Sequence, residues 1–270
     1  MVAEPTRERD SGYSQSLERG LAVLSAFGAG RPLLGISDLA RELGLSRSTT
    51  HRYVATLASL RYLTQDPLTR KYRLGPRVLD LGFSAINSME LREISAPHLR
   101  TLSDETGYTV NMGVLDGVDV LYVERSRSAR QGQREIDLNL HVGSRLPAYC
   151  TSLGKVLLAY LPADEQRSAL ERIELVRRGP NTITSRKALA RELERVRDEG
   201  LAVSNEELAF GLRSIAAPVR AQTGDVVAAI NLAVHRSMVS LEDLVANLGP
   251  ALQRTAAEIS DHLGVGQVRT

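Results

Sequence analysis

The sequence is poor in cysteine and aromatic residues, and these shortages exclude several classes of protein. Cys150 is the single cysteine among 270 residues, so the chain can form neither an internal disulfide nor a cysteine-rich zinc site. Tryptophan is absent and aromatic residues make up 4% of the chain, which argues against a stacking platform for single-stranded nucleic acid. No run of about 18 apolar residues occurs, and the polar N-terminus lacks the apolar core of a signal peptide. We therefore expect a cytoplasmic protein without a membrane partner.

The charges of the chain are unevenly distributed. The formal net charge of +2 says little by itself, but residues 44–77 hold seven basic residues and one acidic residue. A local excess of positive charge over so short a segment is typical of a surface that binds phosphate groups. The length of 270 residues favours two domains, and an apolar content of 43% is ordinary for globular domains with packed cores.

The basic segment contains the pattern of a helix-turn-helix. Gly44 supplies the permissive backbone of a turn, and Ser46 is a favourable N-cap for the helix that follows. Apolar and small residues repeat at helical spacing and predict an inward stripe of Thr50, Val54, Leu57 and Leu60. The opposite face carries short polar and cationic side chains, which suit a DNA major groove. The predicted DNA-reading residues are Arg47, Ser48, His51 and Arg52, with Thr49 assigned to the DNA backbone.

Two short β-prone runs follow, on either side of Asp66 and Pro67, and predict a hairpin. Its tip and second strand carry Arg70, Lys71 and Arg73, which we expect to bind DNA phosphates. Two helices are predicted upstream, over residues 16–27 and 38–43. In the first of them, the residues that fall on one face are Leu17, Leu21, Leu24 and Phe27. Helix, helix, turn, helix and basic hairpin make a winged helix-turn-helix, whose partner is a double-stranded DNA operator.

The rest of the chain predicts a linker and a second domain. Two helices over residues 77–106 form the linker, and the apolar surface of the first favours a homodimer or homotetramer, since paired DNA half-sites require paired readers. From residue 107 the predicted order is β-β-β-α-α-α-β-β-β-α, which indicates an α+β domain with an antiparallel sheet. It includes a strand at 136–142, helices at 151–160 and 185–199, and a closing helix at 240–263. The predicted organisation is a disordered arm (1–14), a DNA-binding domain (15–76), the linker (77–106) and an effector domain (107–265).

Two other functions compete with DNA binding as interpretations of the sequence. Ser152-Leu153-Gly154-Lys155 matches the S-x-x-K motif of penicillin-recognising hydrolases, but no K-T-G or S-D-N element follows it. The motif is no phosphate loop either, and the five histidines are scattered, so we expect no catalytic residue, no metal site and no cofactor. A module that senses a ligand without regulating DNA is the remaining alternative, and the basic hairpin argues against it.

Several segments together resemble the IclR family of bacterial transcriptional regulators, over residues 16–263. The matching segments lie in both predicted domains: Ser16 to Leu24, Leu45 to Arg52, Tyr72 to Gly75, Arg145 to Pro147, Ser152 to Lys155 and Glu206 to Val219. Three more segments resemble the branch that controls protocatechuate, p-hydroxybenzoate and β-ketoadipate catabolism: Cys150 to Lys155, Gly211 to Ile215 and Asn231 to Arg236.

This resemblance implies a winged helix-turn-helix, a linker helix and a GAF-like effector domain that helps the protein to oligomerise. The positions that match the family's effector pocket are Leu146, Gly154, Ser204, Ser214, Asn231 and Ala233, with Glu206 nearby. Ser152 joins this set because free amides at a helix start attract carboxylates. Ser204 stands where the glyoxylate- and pyruvate-binding members carry an acid, and Ala233 replaces a hydroxyl residue. The ligand we expect is therefore a bulkier organic acid, either aromatic or dicarboxylic.

Overall fold

The computed structural model describes residues 13–28, 30–87, 90–127 and 140–266. The chain divides into two compact units, residues 1–88 and 89–270. The predicted arm lies outside the described residues apart from its last two, of which Ser14 caps the first helix by accepting a hydrogen bond from the Leu17 amide. Among the described residues, no helix is both long enough and apolar enough to cross a membrane.

The first unit has the predicted order of elements. These are α1 (Gln15–Ser25), α2 (Ile36–Leu43), α3 (Arg47–Ser59), β1 (Leu63–Gln65), β2 (Tyr72–Leu74) and α4 (Arg77–Asn87). The strands β1 and β2 pair antiparallel, with Leu63 opposite Leu74, so the predicted hairpin is present. The core beneath them contains Val23, Phe27, Leu39, Val54 and Tyr72. Gly44 adopts a left-handed conformation (φ 62°) between α2 and α3, as the predicted turn requires.

The face that α1 buries differs from the predicted one. Val23 is fully buried and Phe27 is 8% exposed, whereas Leu17 and Leu21 are 64% and 55% exposed. Helix α1 therefore has two apolar faces, and the predicted stripe joined residues from both of them. Leu60, predicted to point inward from α3, is likewise 45% exposed. Periodicity identified the apolar positions but could not decide which of two adjacent apolar faces packs against the rest of the unit.

The second unit is built around one sheet. Its helices are α5 (Glu90–Thr106), α6 (Ser152–Ala159), α7 (Ala163–Arg172), α8 (Arg186–Glu199), α9 (Leu241–Asp243) and α10 (Gly249–Gly266). Its strands are β3 (Thr109–Asp116), β4 (Asp119–Ser126), β5 (Arg145–Pro147), β6 (Ala202–Asn205), β7 (Leu212–Arg220) and β8 (Val226–His235). The strand predicted at 136–142 falls mainly outside the described residues, residues 140–142 are not strand, and Arg145–Pro147 forms the edge strand instead.

The six strands are antiparallel and follow the order β5-β4-β3-β8-β7-β6. One face of the sheet packs against α5 and α10 through residues such as Met112, Ile215 and Ile230. The opposite face packs against α6 and its neighbours through residues such as Val120 and Ala216. We call this second face the α6 face. The predicted linker helices are divided between the units, because α4 belongs to the first unit and α5 packs on β4 and α10 of the second.

Candidate functional site

The start of α3 is held by a cap that leaves its outer face open. Ser46 Oγ accepts a hydrogen bond from the Thr49 amide (3.1 Å) and donates one to Thr49 Oγ1 (2.8 Å). Thr50 is fully buried, and its hydroxyl donates to the Ser46 carbonyl oxygen (3.0 Å). These bonds satisfy groups that a helix N-terminus would otherwise leave unpaired. The exposed face that results carries Arg47, Ser48, His51 and Arg52, while Thr49 is half-buried.

The hairpin, which we call the wing, presents its basic residues to solvent around a closed turn. Asp66 Oδ1 accepts hydrogen bonds from the Leu68 amide (3.1 Å), the Thr69 amide (2.7 Å) and the Thr69 hydroxyl (2.8 Å). These bonds from Thr69 and Leu68 lower the pKa of the Asp66 carboxyl below its usual value. The one acidic residue of the basic segment therefore holds the turn together. The exposed cations of the wing are Arg70, Lys71 and Arg73.

The first unit also contains an apolar hollow with a volume of about 640 Å³. Its lining comes from α1, α3, α4 and the residues after α3, and it includes Arg52. The exposed leucines in it are Leu17 and Leu21 of α1, Leu60 beyond α3 and Leu81 of α4. Apolar surface gathered in this way is unusual on an isolated domain and marks a contact surface. We call it the apolar groove.

In the second unit, the α6 face carries two adjacent rows of residues that are direct cross-strand partners. The first row runs across four strands through Ser204, Ser214, Ala233 and Thr109. The second row runs across five strands through Ala202, Ala216, Asn231, Asn111 and Arg125. Directly opposed residues of an antiparallel sheet project to the same side. The rows therefore concentrate hydroxyl and amide groups on a face that is otherwise apolar.

Hydrogen bonds connect this polar patch to the start of α6. Ser152 Oγ lies 2.7 Å from Ser214 Oγ, and Asn231 Nδ2 lies 3.5 Å from Ser152 Oγ. All three side chains are at least 95% buried. Ser204, on the neighbouring strand, donates its hydroxyl proton to the Cys150 carbonyl oxygen (3.2 Å). Four of the predicted effector positions thus meet in one buried group, which we call the polar site.

Two other predicted effector positions, Gly154 and Leu146, have packing roles beside the polar site. Gly154 does not offer its amide to a ligand, because Thr151 Oγ1 accepts that N–H (3.1 Å). A Cβ at Gly154 would lie 2.2 Å from the backbone of Ala148, so glycine is needed there for close packing. Leu146 lies on the edge strand β5 opposite Val120 and packs against the core of the α6 face.

The carboxylate of Glu206 binds groups of its own loop and of Arg236. It is 5% exposed and adopts a left-handed backbone conformation (φ 56°). Its carboxylate accepts hydrogen bonds from the Gly211 amide (2.9 Å) and from Arg236 Nη1 (3.2 Å). The Gly211 bond, followed by the Arg236 contact, lowers the pKa of this carboxyl. Glu206 therefore closes the loop between β6 and β7, a role that its sequence position beside the pocket did not reveal.

Lys155 is 1% exposed, and it is not paired with Ser152. Its Nζ donates to Glu207 Oε1 (2.5 Å), Glu192 Oε1 (3.0 Å) and the Val203 carbonyl oxygen (2.6 Å). In a hydrolase with an S-x-x-K motif the lysine would contact the serine. Here two carboxylates compensate the charge of Lys155, so this lysine does not act as a base for Ser152.

Two residues that sequence reasoning missed, Asn111 and Arg125, extend the polar site along the second row. Asn111 is 1% exposed and donates through Nδ2 to Asn231 Oδ1 (2.8 Å), and Arg125 Nη1 donates to Asn111 Oδ1 (3.2 Å). No motif marks either residue. The available signal was an asparagine among the apolar residues of β3, because a buried amide in a strand needs a partner.

A winged helix-turn-helix unit followed by an α+β unit defines a two-domain transcriptional regulator. Two family models match the chain, the IclR helix-turn-helix domain over residues 16–67 and the bacterial transcriptional regulator IclR C-terminal domain over residues 83–261. The chain belongs to the IclR family. It is accordingly a transcriptional regulator and not an enzyme, as the proteins it matches are named regulators.

Two curated relatives are regulators of aromatic catabolism. The Pca regulon regulatory protein of Pseudomonas putida is 36% identical over 268 residues, which cover 97% of this chain and 90% of that protein. The p-hydroxybenzoate hydroxylase transcriptional activator of Acinetobacter baylyi is 35% identical over 252 residues, which cover 93% of this chain and 92% of that protein.

Solved structures share the fold over almost the whole chain. A transcriptional regulator from Rhodococcus sp. RHA1 is 41% identical, with a TM-score of 0.80 and coverage of 93% of this chain and 98% of that one. An IclR homologue from Microbacterium hydrocarbonoxydans complexed with 4-hydroxybenzoate is 26% identical, with a TM-score of 0.78 and coverage of 92% and 99%.

Proposed function

We propose that this regulator binds an operator as a homodimer and responds to an aromatic hydroxy acid of the hydroxybenzoate type. The observation that carries the ligand assignment is the buried polar site, where uncharged hydroxyl and amide side chains gather on an apolar face. Hydroxyl and amide groups can both donate hydrogen bonds and accept them, so a cluster of them on an apolar face suits a ligand with an aromatic ring and polar ends. The relatives named for p-hydroxybenzoate and the Pca regulon, and the homologue complexed with 4-hydroxybenzoate, support this ligand class.

For DNA recognition, we assign the exposed face of α3 to the bases and the wing to the phosphates. Arg47, Ser48, His51 and Arg52 would reach base edges, with Thr49 near the DNA backbone. Arg70, Lys71 and Arg73 are exposed at the tip and second strand of the wing, and the hydrogen bonds of Asp66 with Leu68 and Thr69 hold the turn that carries them. The local positive charge supports a phosphate-binding role for the wing.

For the homodimer, we assign the apolar groove to a second copy of this chain. An operator with two half-sites requires two α3 helices, and a contact between the first units would fix their spacing. Exposed leucines such as Leu17, Leu21 and Leu81 would then be buried against the partner. A tetramer formed from two such dimers is compatible with the same groove.

The experiment combines DNA binding with ligand addition. Binding of the full chain to DNA upstream of its own coding region would be measured with and without 4-hydroxybenzoate, benzoate or adipate. We expect Arg47→Ala to reduce the preference for that DNA over unrelated DNA by about 1–3 kcal/mol, since an arginine–guanine contact carries that much discrimination. Arg31→Ala, whose guanidinium pairs with Glu42 outside α3, is the matched control and should bind as the unmodified protein does.

The ligand is expected to raise the melting temperature by several degrees at concentrations well above its Kd. Asn231→Leu should abolish that rise, because it removes the amide at the centre of the polar site. Unchanged DNA preference in Arg47→Ala would contradict the recognition-helix assignment. A rise with adipate but with neither aromatic acid would contradict the ligand class.

A further inference from the structure

Lys155 of α6 is shared by two carboxylates that are hydrogen-bonded to different extents. Besides its bond from Lys155, Glu192 accepts hydrogen bonds from Arg195 on both of its oxygens (2.9 and 3.0 Å). Glu207 Oε1 accepts the bond from Lys155 Nζ (2.5 Å), but Glu207 Oε2 is buried without a hydrogen-bond partner among the described residues. We call Lys155, Glu192 and Glu207 the Lys155 cluster. A buried oxygen without a partner is an unfavourable place for a negative charge.

The two carboxyls of the Lys155 cluster differ in how readily they take up a proton. Burial acts to raise the pKa of Glu192, but the hydrogen bonds and charges of Arg195 and Lys155 bring that pKa below its usual value. Burial raises the pKa of Glu207, and the charge of Lys155 opposes this rise without cancelling it. Glu207 is therefore the carboxyl that a further negative charge would protonate first.

The Lys155 cluster borders the polar site along both α6 and β6. Ser152 and Lys155 are three residues apart on α6, a spacing that puts their Cβ atoms roughly 5–6 Å from each other. The Val203 carbonyl oxygen, which accepts a hydrogen bond from Lys155 Nζ (2.6 Å), belongs to the residue before Ser204 on β6. The cluster and the polar site therefore share one helix and one strand.

The charge of Glu207 also acts on the residue that binds Ser204. Burial raises the pKa of the Cys150 thiol, Arg178 opposes that rise, and the negative charge of Glu207 adds to it. The carbonyl oxygen of Cys150 accepts the hydrogen bond from Ser204 Oγ (3.2 Å). The titratable and charged groups around Glu207 are Lys155 on α6, Glu192 with Arg195 on α8, and Cys150 with Arg178.

A bound acid would bring a second negative charge close to the Lys155 cluster. The side chains of the polar site beside α6 are uncharged: Ser152, Ser204, Ser214 and Asn231. Two like charges in a buried region oppose each other's ionisation, because little solvent screens them. Protonation of Glu207 would remove one of the two charges and leave that of Lys155 to act on the ligand.

We infer that an acidic effector binds together with one proton from the solvent, that Glu207 takes up this proton, and that Lys155 then compensates the charge of the ligand. In the free protein Lys155 faces the charge of Glu207, and in the complex it faces that of the ligand. The number of buried charges therefore stays the same. This inference rests on the proposed function and adds regulation of the same site by pH, since the affinity for the acid decreases as the pH rises.

The test compares an acid with its neutral isostere in the unmodified full chain. Calorimetric titration at pH 7, in buffers with different ionisation enthalpies, counts the protons that are taken up with each ligand. We expect nearly one proton for each 4-hydroxybenzoate bound and none for 4-hydroxybenzamide. Between pH 6 and pH 8 the affinity for the acid should fall by up to about tenfold for each pH unit, as linkage to one proton requires. The affinity for the amide should stay constant.

A substitution at Glu207 assigns the proton to one residue. Glu207→Gln keeps the size of the side chain and removes the group that titrates. We expect it to bind the acid without proton uptake, and about tenfold more tightly at pH 8 than the unmodified protein does. Glu194→Gln, at an exposed glutamate on α8, is the matched control and should take up the same number of protons as the unmodified protein.

The outcomes separate this coupling from the proposed function. If the unmodified protein does not bind the acid, the proposed ligand class fails and the coupling fails with it. If the unmodified protein binds the acid without taking up a proton, the coupling is overturned while the proposed function stands, and this result needs no variant to fold. Proton uptake that persists in Glu207→Gln would place the proton on the ligand or on another group and would overturn the role of Glu207.

Discussion

At the scale of single residues, Lys155 carries a buried positive charge that compensates the negative charges of Glu192 and Glu207. Glu207 is 6% exposed, and burial raises the pKa of its carboxyl although Lys155 opposes the rise. Lys155→Met removes the compensating charge and leaves Glu207 in an apolar environment. We expect a loss of about 3–5 kcal/mol in the free energy of unfolding, measured by urea denaturation at pH 7.

The sign of the pH dependence follows from the same carboxyl. Without Lys155, the pKa of Glu207 in the folded state rises further above its unfolded value. The resulting loss of stability is therefore complete above the raised pKa of Glu207 in the folded state. It disappears as the pH falls toward the pKa that Glu207 has in the unfolded chain. Lys155→Met should be less destabilised at pH 5 than at pH 8, and adding Glu207→Gln should restore part of the loss. A loss below about 1 kcal/mol at pH 7 would show that the cluster contributes little.

The residues of the polar site show what sequence alone could predict. Ser204, Ser214 and Asn231 were assigned from a resemblance, and the structure places them side by side with Ser152. Asn111 and Arg125 were not predicted, because their proximity depends on which strands pair. Periodicity predicts the face that a residue occupies within its own strand, but it does not predict the register between strands that are distant in the sequence.

At the scale of elements, the wing is expected to contribute charge without sequence preference. Lys71→Ala should weaken binding to specific and unrelated DNA by similar factors and should reduce the slope of log K against log salt by about 1. Fluorescence anisotropy at several salt concentrations measures both quantities. Lys187→Ala, at an exposed lysine on α8, is the control. A change confined to one DNA sequence would mean that Lys71 contacts a base.

The elements themselves were predicted unevenly. The helices α3, α6 and α8 and the wing follow the sequence pattern closely, because caps such as Ser46 and turns such as Asp66-Pro67 are local signals. The last helix was predicted as one segment from 240 to 263, but a π-helical turn at Leu244–Leu248 separates α9 from α10. Neither that turn nor the three-residue edge strand β5 has a length or a period that a pattern can identify.

At the scale of the whole molecule, the apolar groove predicts the oligomeric state. We expect light scattering to give at least twice the 29.5 kDa of one chain. Leu21→Glu should reduce the mass to that of a monomer, or from a tetramer to a dimer, because a charge would be buried in the contact. Leu68→Glu, at a wing residue that is 91% exposed, should leave the mass unchanged. An unaltered mass in Leu21→Glu would place the contact between copies elsewhere.

The bond between Asn111 and Asn231 joins residues that are 120 positions apart in the chain. A growing polypeptide therefore has no polar site until β8 has been synthesised and paired with β3. A ligand held there would bind the completed domain and have no counterpart in the unfolded chain, so its binding energy adds to the folding energy of the domain. The ligand that switches the regulator would therefore also reduce the fraction of unfolded chain that is open to degradation. The lifetime of the regulator would then increase with the concentration of the ligand.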